Sequence, residues 1–167
     1  MRHTVFAAAL LAPLAAVSPG LAAEGCFGTG QPLLHCTAGS KALDICLQDN
    51  VALYRFGPSD GPAEMLLARH VTALDMVPWN GVGRTLWEEI TFRNGSYAYA
   101  VNYAIDRLAE NGPEVSGGVT VSEGDREIAR FDCESASMTF FDFYPVYEAK
   151  EAAGQCWSRE AGLWGPC

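Results

Sequence analysis

The chain has 167 residues, 49% hydrophobic and 19% charged, with 11 Lys+Arg against 20 Asp+Glu and a formal charge of −9. Such a composition excludes a disordered tail or a solvated low-complexity chain. The acidity argues against nucleic acid or an anionic membrane surface as a partner, because both are polyanions.

Residues 1–23 read as an export signal. Arg2 and His3 make a short polar start, and Val5 to Val17 is an apolar run broken only by Pro13. Ser18-Pro19-Gly20 then precedes Leu21-Ala22-Ala23, whose small last residue suits cleavage. The run falls short of the ~20 residues that span a bilayer. Glu24, two residues before Cys26, does not fit a lipid-anchor box. Cleavage near Ala23 removes one cation, Arg2, and no acid, which moves the charge from −9 to −10. The expectation is a periplasmic or secreted protein, free of the membrane after cleavage, with residues 24–167 as a single domain.

Cys26, Cys36, Cys46, Cys133, Cys156 and Cys167 all follow the signal. An even number in an oxidising compartment reads as three disulfides. There is no C-x-x-C, no C-x-x-C-H and no paired histidine, so neither a metal nor a cofactor is expected. Of the many possible pairings, the expected set is Cys26–Cys36, Cys46–Cys133 and Cys156–Cys167. The last would staple the tail and the second would tie an early strand to a late one.

In chain order, Leu43, Ile45 and Leu47 alternate with Asp44, Cys46 and Gln48, the pattern of a half-buried strand. Val51 to Phe56 reads as its neighbour, stopped by Gly57-Pro58-Ser59-Asp60-Gly61-Pro62, and Glu64 to His70 runs back. Leu86 to Ile105 is a hairpin about Asn94-Gly95, a dipeptide that favours a type I′ turn. A two-residue loop there would set Phe92 against Tyr97, Ile90 against Tyr99 and Glu88 against Val101. Leu86, Glu88, Ile90, Phe92, Tyr97, Tyr99, Val101 and Tyr103 would then share one face, leaving Glu88 inward among aromatics. Val119 to Cys133 suggests a last hairpin around Gly124-Asp125. Pro145 opens a helix over Val146 to Ala153 with Gly154 as its terminator, followed by an irregular tail. The fold expected is mainly β: one antiparallel barrel or sandwich of about eight strands. Its strand core runs over about 32–133, with the helix and disulfide-stapled tail over 145–167.

Most catalytic signatures are missing. There is no G-x-S-x-G, no Walker loop, no dinucleotide G-x-G-x-x-G and no H-E-x-x-H. Glu88 could act as a general acid in a hydrolase, or form a buried pair with Arg69, Arg107, Arg126 or Arg130. The loop Pro78-Trp79-Asn80-Gly81-Val82-Gly83-Arg84 offers a flat anchor in Trp79 and a donor fork in Arg84. Its other reading is a cap on one end of the fold. The aromatic run Met138 to Tyr147 suits either a ring-stacking platform or a seal on the following helix.

Tyr54-Arg55-Phe56-Gly57, Trp79 to Arg84, Phe92 to Tyr99 and Gly118 to Cys133 follow an order that resembles small exported, disulfide-containing β-proteins of proteobacteria. The resemblance covers roughly residues 33–133 and implies a periplasmic β fold without implying an activity. At the level of fold alone the chain is similar to periplasmic inhibitors of c-type lysozyme, without the Ser-Gly-Ala-Arg stretch of their inhibitory loop. The function expected is non-catalytic binding of a basic periplasmic or extracellular protein, as inhibitor or adaptor for a cationic cell-wall-active protein. Trp79, Asn80 and Arg84 are the candidate contacts. The alternative is a barrel that holds a small molecule or glycan between Tyr97, Tyr99 and Tyr103.

Overall fold

The computed structural model of the protein describes Cys26, Gly28 and residues 30–167, so the export signal read at 1–23 lies outside the described residues. Eleven strands are present among them rather than about eight. Strands β1 (Gln31–Ala38), β2 (Lys41–Gln48), β3 (Val51–Pro58) and β4 (Met65–His70) form one antiparallel meander. Strands β5 (Asp75–Val77), β6 (Thr85–Asn94), β7 (Tyr97–Asp106), β8 (Glu114–Glu123) and β9 (Arg126–Asp132) form a second. Helix α1 (Tyr144–Ala152) has Pro145 in its first turn, and Gly154 beyond its end has a φ of 82°. The tail, expected to be irregular, pairs as a ribbon of β10 (Gln155–Ser158) and β11 (Leu163–Pro166).

Neither meander closes on itself, so a closed barrel is not formed. The two open sheets share one core instead. Tyr54 on β3 packs against Phe92 on β6 and Tyr99 on β7, with ring centroids 5.5 and 5.7 Å away. Phe56 meets Phe131 edge-on at 5.1 Å. Leu34, Leu43, Ile45, Ile90 and Val101 fill the space between, and Phe143 and Val146 of the helical segment complete it.

The β6–β7 hairpin differs from expectation in register. Asn94 pairs with Tyr97, so the two-residue loop is Gly95-Ser96, with Gly95 at a φ of 62°. Positive φ at the first central residue alone is the demand of a type II′ turn, which glycine meets there. The ladder moves on by two residues: Phe92 faces Tyr99, Ile90 faces Val101 and Glu88 faces Tyr103. A shift of two keeps every side chain on its expected face, because strand side chains alternate with period two.

That same alternation corrects two disulfides. The pairs are Cys26–Cys46, Cys36–Cys133 and Cys156–Cys167. Cys36 lies opposite Leu43, which lies opposite Phe56, so it belongs to the face turned toward the five-stranded sheet and reaches Cys133 just beyond β9. Cys46 lies opposite Pro32 and Leu53 on the other face, where Cys26 meets it. Cys36 and Cys46 face opposite sides of adjacent strands, so the expected pairs Cys26–Cys36 and Cys46–Cys133 do not form. Three disulfides accord with an oxidising compartment, and no helix among the described residues is long and apolar enough to cross a membrane.

Candidate functional site

Glu88 is buried, as the hairpin pattern required, but its partner is not an arginine. The Tyr103 hydroxyl donates to its Oε2 at 2.8 Å and the Phe143 backbone N–H donates to the same oxygen at 3.1 Å. The backbone of Trp79 also hydrogen-bonds to this carboxyl. Burial pushes the Glu88 carboxyl above its ordinary range, against the pull of these donors. Burial and the adjoining Glu88 likewise hold the Tyr103 hydroxyl protonated. The carboxyl therefore joins three pieces of chain: strand β7, the segment entering α1, and the loop that begins at Trp79.

That loop runs over residues 78–84 and enters β6. Because Thr85 pairs with Asp106, the residues flanking this pair, Arg84 and Arg107, sit side by side where the β6 and β7 ends meet. Arg84 binds Asp106 through two bonds of 2.6 Å, Nε to Oδ1 and Nη2 to Oδ2. This fork holds the Asp106 carboxyl below its usual range and the guanidinium above its own. Arg107 donates to the carbonyls of Gly83 and Arg84, and its guanidinium carbon lies 4.9 Å from the centre of the Trp79 ring. Trp79 Nε1 donates to the Val82 carbonyl at 3.2 Å, and Asn80 Oδ1 accepts from the Val82 N–H at 3.1 Å.

The loops over 78–84 and 107–113 are thus cross-fastened, and each carries an exposed apolar residue. Val82 is 69% and Leu108 70% exposed, above the other large hydrophobic residues in the described part of the chain. Beside them opens a cleft of about 750 Å³ lined by Asp106, Glu110 and Glu114, with Arg84 as its one cation. Neither Glu110 nor Glu114 is in an ion pair among the described residues.

The residues expected to bind are therefore distributed differently. Trp79, Asn80 and Arg84 are together at this tip, but they hold the loop, and Val82 and Leu108 are its outward groups. The three tyrosines do not gather around one space. Tyr97 is partly exposed beside the turn, Tyr99 packs on Tyr54, and Tyr103 packs on Phe141 and Phe143 at 6.0 and 5.2 Å. Two polar clusters escaped sequence reasoning. His35, Asp44 and Arg55 stand in one cross-strand row, with His35 Nδ1 2.5 Å and Arg55 Nη1 3.0 Å from the Asp44 carboxylate. Lys150 of α1 is fully buried and donates to the carbonyls of Val71 and Leu74, both at 2.7 Å, and to Gln155 Oε1 at 3.1 Å. The first was readable as a row once the β1–β3 register was known. The second had no sequence signal. Among the described residues no group of His, Cys, Asp and Glu could hold a metal ion.

Comparison with protein-family models, with curated proteins and with solved structures finds no significant match to this chain.

Proposed function

We propose that the protein is a non-catalytic binding protein of the periplasm or the extracellular space. It holds a basic protein through the two-loop tip, as inhibitor of or adaptor for a cationic cell-wall-active partner. The observation that carries this reading is the pair of exposed residues Val82 and Leu108 on loops already locked by Arg84–Asp106 and Arg107–Trp79. Ordering a loop in advance lowers the entropy cost of binding, and apolar side chains held out in water gain free energy when a partner covers them. The formal charge of −9 supports a basic partner, whose encounter it would speed at low salt. The non-catalytic reading is supported by Glu88, whose carboxyl is engaged by Tyr103, Phe143 and Trp79. The motif order shared with exported proteobacterial β-proteins supports the setting.

Immobilised, oxidised protein should retain a basic protein from periplasmic extract at low salt and release it at high salt. The purified partner should then bind the Val82→Ser/Leu108→Ser variant about tenfold or more weakly, at unchanged thermal unfolding. Arg84→Ala should weaken binding as well, by freeing the loop. A partner that binds the double variant as tightly as the wild type would rule the tip out.

A further inference from the structure

Strand β5 is the edge of the five-stranded sheet, and between it and the β10–β11 ribbon lies a cleft of about 280 Å³. Trp157 and Trp164 are cross-strand partners in the ribbon, line this cleft, and have ring centroids 5.7 Å apart. Trp164 is fixed from several sides. Its Nε1 donates to the Met76 carbonyl at 2.9 Å, Lys150 Nζ lies 5.0 Å from its ring centre, and Tyr147 meets it edge-on. Trp157, half-buried, has Trp164 as its one ring partner among the described residues, so it is the ring with a face to offer.

The polar groups at the rim decide the class of ligand. Asp75 Oδ2 accepts from Arg93 Nε at 2.8 Å, and among the described residues no donor holds its Oδ1. Gln155 is already oriented, accepting from Lys150 and donating to the Thr72 carbonyl at 3.2 Å. Lys150 uses all three N–H bonds on oxygens of the protein and has none for a ligand. Asp75 is paired with Arg93 and its field favours the buried Lys150 ammonium, whose N–H bonds are all taken by the protein, so neither charge is free to hold an ionic ligand. A neutral molecule with one apolar face and a rim of hydroxyls needs neither.

We infer that this cleft binds a neutral saccharide ring, with its C–H face on Trp157 and its hydroxyls on Asp75 and Gln155. Its volume lies just below the usual range of ligand sites, which leaves room for one sugar ring and not for a buried chain. This site is separate from the two-loop tip, and its occupation does not depend on the basic partner.

The test is saturation-transfer NMR and tryptophan fluorescence on the oxidised protein. The probes are glucose, N-acetylglucosamine and its trimer, with glucuronic acid and glucosamine as charged controls. The expected result is transfer to the C–H protons of a neutral sugar, with quenching of fluorescence. Trp157→Ala should lower affinity about tenfold or more. Asp75→Asn, at an exposed position that folding tolerates, should lower it severalfold, and Val82→Ser/Leu108→Ser should leave it unchanged. Absence of transfer from every neutral sugar, tighter binding of a charged control, or undiminished affinity in both cleft variants would overturn the assignment.

Discussion

Glu88 and Lys150 are both buried and ionisable, and they fasten irregular chain to the sheets in opposite ways. Glu88 accepts: a hydroxyl from β7, the N–H that opens α1, and the backbone of the 78–84 loop. Lys150 donates: to two carbonyls of the short turn after β4 and to an amide at the start of the ribbon. Loop and helix-end groups that face the interior need partners, because an unpaired polar group there costs a large part of a domain's margin. One buried acid and one buried base thus do this work where no ladder reaches. Glu88 has a neighbour that shares its burden, since Tyr103 donates to it. Lys150 has the Trp164 ring and the field of the Asp75 carboxylate, with no acid in direct contact among the described residues.

The largest expected effect comes from Lys150→Met. Methionine fills similar space but leaves the Leu74 carbonyl without the ammonium and the Val71 carbonyl with the Leu74 N–H alone. A loss of about 2 to 4 kcal/mol in urea unfolding is expected from the lost charged hydrogen bonds. A loss under about 1 kcal/mol would mean water takes over the carbonyls and the lysine is not the fastening. Next comes Cys156→Ala/Cys167→Ala. This disulfide closes a separation of 11 residues, and both its cysteines are exposed, whereas Cys26, Cys36 and Cys46 are buried. Its removal should cost up to about 3 kcal/mol in the chain-entropy model. Hydrogen exchange should rise over the ribbon and around Lys150 and stay unchanged around Glu88. Equal loosening at both sites would show that the two fastenings are not independent. Graded reduction should label the same two cysteines before the other four.

How far the sequence foretold these sites depends on alternation more than on motif. Glu88 was readable as inward-facing from Leu86 to Ile105, and the two-residue error in register did not move it. That same error hid the tip. A loop at Asn94-Gly95 sets Thr85 against Ala104, two residues short of Asp106, so the Arg84–Asp106 and Arg107–Trp79 contacts were out of reach. The disulfides failed for a different reason. Alternation in β2 sets Cys46 on the face away from Leu43, Ile45 and Leu47, and a pairing by chain separation ignores that face. Lys150 was beyond reading, because a lysine in Tyr144–Ala152 looks like any surface lysine until the Val71 and Leu74 carbonyls are brought beneath it. The ribbon was hidden likewise, since four-residue strands around Trp157 and Trp164 are too short for a period to show.

The smallest effect is expected at Glu88. In Glu88→Gln the amide oxygen still accepts from Phe143 and Tyr103, but two new N–H donors enter a site made of donors. A loss of about 1 to 2 kcal/mol at neutral pH is expected. The difference in stability between wild type and variant should depend on pH with a defined sign. Burial raises the Glu88 carboxyl above its ordinary 4.5, so the folded state holds this proton more tightly than the unfolded state. The wild type's advantage is then greatest below 4.5 and falls as the pH climbs through the folded value. Lys150 slopes the other way in another window. Burial lowers its amine below the ordinary 10.5, so wild-type stability relative to Lys150→Met rises between that lowered value and 10.5. Paired difference curves from urea unfolding, one in acid and one in alkali, should therefore tilt in opposite directions. A flat acid curve would mean that Glu88 titrates alike folded and unfolded, its donors offsetting its burial, and a reversed tilt would mean that the donors outweigh it.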